Sequence, residues 1–369
     1  MAQTETLKRT PFYDLHVAAG AKVVPFAGFE MPVQYPEGIT AEHHVVRTGA
    51  GLFDVTHMGE FEVRGKDALA FTSHVTSNDP NALAVGQVQY SNFLYETGGI
   101  VDDCLVHRMA DRVWIVVNAS NCAKDWAHIN QYKKQFDIQL HDRSEQTSLL
   151  ALQGPKTQQV LQPLTPGVNL DAIGFYHFTT GTVAGVKCLI ARTGYTGEDG
   201  FELYHDPQDG PKLWHALVNP KSIVKPVGLG ARDSLRLEMA YPLYGNDIDA
   251  ETTPFEAGTG WTVKMSKPDF VGKKALEAQK AKGLTRRLVG FKLLERGFPR
   301  HGYPVYVNGE RFGGVRSGIV SPSLDEAIGT AYLPLGIAKP GTRFEVEIRG
   351  KRLPAEAVPT PFWTKGSRR

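Results

Sequence analysis

Cysteine is scarce in this chain. The 369 residues hold only Cys104, Cys122 and Cys188. An odd number at wide spacing excludes a disulfide framework and reads as reduced, mostly buried thiols in a reducing compartment. A cytoplasmic location is the expectation. With no Cys-x-x-Cys pair and no histidine-rich cluster, no metal centre is expected. Long hydrophobic runs are missing too: nothing approaches the ~20 apolar residues that cross a bilayer, so no membrane partner is expected. Residues 1–10 carry two cations, Lys8 and Arg9, and few apolar side chains, a poor match to a secretory or transit leader. Charge of one sign is also lacking. A formal net charge of +2 excludes a general nucleic-acid surface, although the tail Lys365-Gly366-Ser367-Arg368-Arg369 is locally basic. A serine elbow, a P-loop and a Cys–His pairing are absent, which leaves little room for covalent catalysis by a side chain. No internal repeat or low-complexity tract occurs.

What is present is an ordinary globular composition, 41% hydrophobic and 22% charged, in a chain long enough for two or three domains. Helices and strands mix through the first three quarters. Residues 11–19 read as a short helix with proline at its start and Gly20 as its stop. A strand at 61–63 and a helix at 67–75 follow. Residues 87–95 and 100–107 flank Glu96-Thr97-Gly98-Gly99 as a hairpin, with another strand at 113–117. Ser120 is expected to cap a helix running to about Phe136. A strand at 149–152 leads through Gly154-Pro155 into a helix ending near Leu161, and Gly228-Leu229-Gly230-Ala231 opens a helix through Met239. A charged amphipathic helix at 271–282 precedes a change of texture. From about Arg286, strands at 288–293, 305–307, 313–317, 328–333, 344–348 and 355–358 are separated by turn residues, the pattern of a small all-β domain.

The densest local signal is the run from Arg192 to Glu202. It packs three glycines, three acids and a tyrosine behind an apolar strand at 186–191. Glycines so close together let backbone turn or approach a ligand. Glu198, Asp199 and Glu202 suit the N–H edge of a flat heterocycle. Asp102 and Asp103 follow the double-glycine turn on a strand, so their carboxylates point to opposite faces. Asp103 is expected to share a face with Val101 and Leu105, where a carboxylate must be paired or functional. As a functional group it would serve as a general base or as partner to a developing cation; as a structural one it would accept a backbone amide in the turn. Pattern alone does not separate it from Asp102.

Other candidates carry equally plain alternatives. Tyr90 is a strand aromatic that suits a core. Asn118 ends a strand and suits a turn, or a bidentate amide contact. Arg232 is aimed at an anion, or is paired with Asp233 or Glu238. Tyr241 suits ring stacking or core packing. His57 is a lone histidine, more often structural than catalytic. The glycines at 228 and 230 lack the third glycine and preceding long strand of a dinucleotide motif. The residue types favour a pocket of acids, tyrosines and an arginine.

Taken together, the blocks Phe26-Ala27-Gly28-Phe29-Glu30-Met31-Pro32, residues 51–60, Gly98 to Asp103, Val117-Asn118-Ala119, the run around Tyr195, Gly228 to Arg236, Leu243-Tyr244-Gly245, and Ser317-Gly318 with Ser321-Pro322 resemble the aminomethyltransferase (T-protein) family of the glycine cleavage system, over nearly the whole chain. The resemblance implies an α+β fold of three domains around a central folate pocket. Residues 1–54 with 140–285 would form a discontinuous folate-binding region, 55–139 a ferredoxin-like unit, and 286–369 a β-barrel-like domain. It implies transfer of the one-carbon unit from an aminomethyl group on the lipoyl arm of the H-protein to tetrahydrofolate, with release of ammonia and 5,10-methylenetetrahydrofolate. Asp103 matches the family's key carboxylate. Tyr90, Asn118, Tyr195, Glu202, Arg232 and Tyr241 match positions lining the folate site, as does Arg368 in the tail. Two positions depart from the family pattern: His107 stands where tyrosine is common, and Phe29 where tryptophan is. The alternatives are a folate-dependent demethylase of a small methylated amine or sulfonium, and a non-catalytic folate-binding module.

Overall fold

The computed structural model of the chain describes residues 6–368; residues 1–5, half of the segment weighed as a leader, lie outside the described residues, as does Arg369. The α+β expectation is met by two packed sheets with helices and a separate closed barrel.

The first sheet is antiparallel, in the order Val88–Leu94, Ile100–Arg108, Val113–Val117, Gly59–Arg64, Gln139–Asp142. Strand alternation divides its side chains. One face sends Phe61, Val63, Cys104, Val106, Ile115 and Val117 against helices Ala68–Val75 and Cys122–Asn130, whose Phe71, Val75 and Ile129 complete a core. The opposite face presents Leu105, Trp114 and Val116 to Phe53, Leu149, Ala151 and Tyr204 of the second sheet. Val101 belongs to the helix-side core, not to the face of Asp103 and Leu105 as the alternation implied. The cause is a bulge: the pairing slips between Phe93 and Leu94, next to Val101.

The second sheet runs Phe178–Val183, Val186–Ala191, Gly200–His205, Ser148–Gln153, Gly51–Asp54, Lys225–Pro226, with the last pair parallel. Its far face packs Leu150, Leu152, Phe201 and Leu203 against Phe12 and Trp214. Its near face carries helices Ile39–Thr48 and Leu229–Glu238 through Val46, Ala231 and Leu235.

The double-glycine bend is explained by space. Gly98 sits at φ 83°, and a Cβ on Gly99 would lie 1.9 Å from the carbonyl oxygen of Ala250. The Ile100 N–H donates to the carbonyls of Asp249 (3.2 Å) and Thr252 (3.0 Å). Segment 249–252 thus clamps the hairpin that carries Asp102 and Asp103.

Helix Leu229–Glu238 starts where Glu42 of the neighbouring helix accepts the N–H of Gly228 at 2.7 Å. It ends in a left-handed cap. Ala240, at φ 53°, donates to Leu237 O at 2.8 Å and Tyr241 to Arg236 O at 3.0 Å. That reversal redirects the chain so that Tyr241 enters the site. The expected helix at 120–136 is shorter than its pattern: a 3-10 turn, Ala119–Asn121, precedes Cys122–Asn130. Ser120 does not cap it, and Asn121, at the cap position, turns its side chain to Asp102 instead.

The C-terminal strands close into a barrel in the order Arg286–Leu293, Glu326–Pro334, Glu310–Ser321, Pro304–Val307, Arg343–Ile348, Lys351–Val358, filled by Phe291, Val305, Leu333, Phe344, Val346 and Leu353. The strand expected at 313–317 spans Glu310–Ser321, its pattern masked by glycines and a bulge between Val315 and Ser317. The barrel is bolted to helix Leu229–Glu238. Buried Arg236 pairs with Asp247 at 2.7 Å and donates to Ser317 Oγ at 2.9 Å, while Ser323 Oγ donates to Glu238 at 2.9 Å. Among the described residues, no helix is long and apolar enough to cross a membrane.

Candidate functional site

A cavity of about 920 Å3 opens where the two sheets and the barrel meet. All eight residues that the family resemblance assigns to the site contribute to its wall. The elements explain why. Alternation along Gly200–His205 buries Phe201 and Leu203 on the far face, which leaves Glu202 and Tyr204 pointing into the cavity. Tyr90 and Asp103 lie on adjacent strands of the first sheet, and Asn118 ends the third strand, Val113–Val117. Arg232 comes from the helix between sheet and barrel, and Tyr241 from its cap.

Asp103 is held on two sides. Tyr90 Oη donates to its Oδ2 at 3.0 Å, and Asn118 Nδ2 donates to its Oδ1 at 2.8 Å. Burial raises its acid range and the charge of Asp102 adds to it, while Tyr90 and Asn118 pull it back; the outcome is about 7. Such a carboxyl can take or give a proton at neutral pH. Asp102 points away from the cavity, as the alternation required. It accepts the Asn118 N–H at 3.0 Å and the Asn121 amide at 2.6 Å, so the structural role of the pair falls to it.

Elsewhere on the wall, Glu202 accepts from Thr193, and burial raises its carboxyl. Arg232 lies 4.9 Å over the Tyr195 ring. Neither partner expected for it from the sequence is taken: Asp233 pairs with Arg236, and Glu238 with Arg47. Among the described residues no carboxylate lies within ion-pair distance of Arg232, which leaves its guanidinium facing the cavity. Tyr195 donates to the Pro242 carbonyl and stacks on Tyr241 at 5.7 Å, and Arg368 donates to the Tyr241 hydroxyl and sits 4.9 Å over Phe175.

Two acids of the rich run are elsewhere. Glu198 pairs with Arg47 at 2.8 Å and accepts from Ser367, and Asp199 pairs with Arg192 at 2.7 Å. Both secure the turn and the tail, leaving Glu202 as the acid of that run in the cavity. His107 is fully buried outside the cavity, between Phe178 and Tyr204, and burial pushes its imidazole down to about 3. His57 is likewise buried and pushed down to about 4. Both are neutral at pH 7.

Sequence reasoning missed four aromatic walls, Phe175 beneath Arg368 among them. Tyr176 adopts φ 59°, a left-handed conformation unusual for an aromatic residue. Tyr204 reaches the cavity with its hydroxyl unpaired among the described residues. Trp261 is 62% exposed yet stacks on Tyr90 at 5.8 Å. The glycines at 258 and 260 beside Trp261 were the available signal.

The chemistry this arrangement allows is set by its parts. It offers a carboxyl near neutrality, a second buried acceptor, stacked phenols and two guanidinium groups. That suits a flat, hydrogen-bonding ring with an anionic tail, held beside a proton-transferring group. Comparison with known proteins gives the class. Residues 12–267 match the GCVT N-terminal domain and residues 286–363 the glycine cleavage T-protein C-terminal barrel domain. Among similar proteins, an aminomethyltransferase of Symbiobacterium thermophilum is 49% identical over 99% of this chain and 100% of its own. One from Rubrobacter xylanophilus is 49% identical over 98% and 95%. The solved structure of the glycine cleavage system aminomethyltransferase T from Bartonella henselae superposes with a TM-score of 0.92 at 38% identity, covering 99% of both chains. The fold is thus that of an aminomethyltransferase. The chain belongs to the T-protein family of the glycine cleavage system.

Proposed function

We propose that this chain takes the aminomethyl group presented on the lipoyl arm of the H-protein and passes its one-carbon unit to tetrahydrofolate, releasing ammonia, the dihydrolipoyl arm and 5,10-methylenetetrahydrofolate. The observation that carries the reading is the near-neutral Asp103 carboxyl, oriented by Tyr90 and Asn118 inside a cavity whose wall also holds Glu202.

Folate supplies the nucleophilic amines and carries the carbon. The residues present fit it. Glu202, buried and with acceptor capacity beyond its bond to Thr193, would receive the pterin N–H groups. Tyr195 and Tyr241 would flank the rings, and Arg232 and Arg368 would hold carboxylates of the tail. Asp103 would stabilise the cationic carbon that forms as ammonia leaves, and would accept the proton released from the attacking amine. Alignment and electrostatics are the protein's share of the catalysis. We place the domains at 1–54 with 140–285, 55–139 and 286–369, and the protein in the cytoplasm.

Reconstitution tests this reading. Purified chain, aminomethylated H-protein and tetrahydrofolate should give ammonia and methylene-folate in equal amounts. No product, or equal product from a free methylated amine without the carrier protein, would refute it.

A further inference from the structure

We propose that Asp102, which never reaches the cavity, is a positioning residue for Asp103: the amide of Asn118 bonds to both carboxyl groups at once, and the buried charge of Asp102 governs how Asp103 is turned and protonated. The inference rests on the reading of Asp103 as the working carboxyl.

The bridge is a matter of geometry. Asn118 Nδ2 lies 2.9 Å from Asp102 Oδ1 and 2.8 Å from Asp103 Oδ1. A primary amide nitrogen has two hydrogens, so both are committed to the adjacent acids. Asp102 is fully buried, and its remaining partners are the Asn118 N–H on Oδ2 at 3.0 Å and the Asn121 amide on Oδ1 at 2.6 Å. These donors fix Asp102, and through Asn118 they fix Asp103.

A second acid competes with Asp102 for the proton. Asp125, on helix Cys122–Asn130, is fully buried, and neither of its oxygens has a donor among the described residues. Two adjacent carboxyls in a dry site do not both ionise. Burial and the charge of Asp102 push Asp125 up to about 11, so Asp125 holds the proton and offers it to Asp102. Burial raises Asp102 as well, while the hydrogen bond from Asp125 and the donors on Asn118 and Asn121 favour its charged form.

The other groups that face Asp103 do not replace that charge. Tyr90 on the neighbouring strand, Tyr176 and Tyr195 on the cavity wall, and Cys104 on the same strand are all raised by burial and are neutral near pH 7. Lys124, on the helix of Asp125, is the cation on this side; its Nζ lies 3.8 Å from the Tyr244 ring centre and offsets only part of the field. The charge of Asp102 raises Asp103, so deleting it should make Asp103 a stronger acid.

The test is an Asp102→Asn variant of the full chain. Asp103 would be titrated by carboxyl-carbon NMR, assigned by its loss in Asp103→Asn, alongside the pH profile of kcat/KM. Folate binding should persist, and the Asp103 midpoint should fall by about one pH unit or more, a tenfold change in acidity. An unchanged or higher midpoint overturns the proposal. Asp125→Asn, which mimics the protonated acid, should leave the midpoint where it is; a fall as large as that of Asp102→Asn would overturn the assignment of the proton. Should Asp102→Asn not fold, Asn118→Ala removes the bridge alone, and the midpoint should rise by about one unit because a donor to the charged form is lost; no rise overturns the proposal. Native turnover in Asp103→Asn would instead sink the functional reading, and the NMR titration would still report on the bridge.

Discussion

The Tyr90 hydroxyl donates to Asp103 Oδ2 across 3.0 Å, and its ring stacks beneath Trp261, whose indole is exposed. The phenol therefore joins the cavity surface to the carboxyl. In Tyr90→Phe the ring stack survives and the donor is lost. A donor to the charged form lowers an acid's range, so its loss should move the acid limb of the pH–rate profile upward by about one unit, in line with the 1.5–3 kcal/mol of a hydrogen bond to a charged group. Activity should fall most below pH 7 and recover toward pH 8. A profile that keeps its midpoint would show that Tyr90 does not act on Asp103.

Asp103→Asn keeps the size and the Asn118 contact site but cannot accept the proton. Turnover in the reconstituted reaction should drop by about 10²–10⁴-fold, the range of a positioned acid–base group, with folate affinity little altered. Equilibrium fluorescence titration with folate separates the two effects. A parallel loss of binding would make Asp103 a binding group.

Glu202→Gln exchanges one acceptor oxygen for a donor where ring N–H groups are to be received. Loss of a hydrogen bond to a charged group is worth about 1.5–3 kcal/mol, so folate should bind about 10- to 100-fold more weakly. The Thr193 hydroxyl can rotate to meet the amide, so thermal stability should hold. Unchanged affinity would place the ring elsewhere.

The barrel, the hairpin and the start of helix Leu229–Glu238 were legible because each has a local cause: turn residues between short strands, the paired glycines under Ala250, and the glycines before Leu229. Opposite orientation of Asp102 and Asp103 also follows from alternation alone, but which one faces the cavity does not. That depends on which sheet face meets the second sheet, a long-range fact. The acids of the rich run show the same limit. Glu198 and Asp199 look as available as Glu202, yet their partners are Arg47 and Arg192, one of them more than a hundred residues away. Trp261 and Tyr204 were invisible for a related reason, since an aromatic's role depends on what approaches it. The expected capping by Ser120 failed because Asn118 and Asn121 are drawn to Asp102, which re-forms the helix start around that acid.

Ala240 closes its helix at φ 53°, where a Cβ crowds the backbone. Glycine fits that conformation without strain. Ala240→Gly should stabilise the protein by roughly 0.5–1 kcal/mol, after allowing for the greater freedom of glycine in the unfolded chain. Denaturant midpoints measure this, with catalysis unchanged if Tyr241 keeps its direction. A loss of stability would mean that the methyl group contributes more packing than the conformation costs.

Glu238 is the junction of the molecule. Its carboxylate pairs with Arg47 at 2.6 Å and accepts from Ser321 and from Ser323, both on the barrel. His43 reaches it at 3.2 Å. Burial alone would raise this acid; the contacts from His43 and Ser321 and the charge of Arg47 overcome that and hold it near 2. A folded value below the unfolded one means stability is complete above the unfolded range, near 4.5, and is lost as pH falls toward about 2. Glu238→Gln removes one of the two carboxylates that buried Arg47 meets and leaves Glu198 at 2.8 Å, so the cost should stay below the roughly 3–5 kcal/mol of a wholly unpaired buried charge. The variant should be less stable than the native chain at pH 7, and the gap should narrow as pH drops from 4.5 toward 2, because acid neutralises the native carboxylate as well. Denaturant unfolding of both proteins across that interval decides it. A gap independent of pH would show that the loss comes from packing rather than from the charge of Glu238.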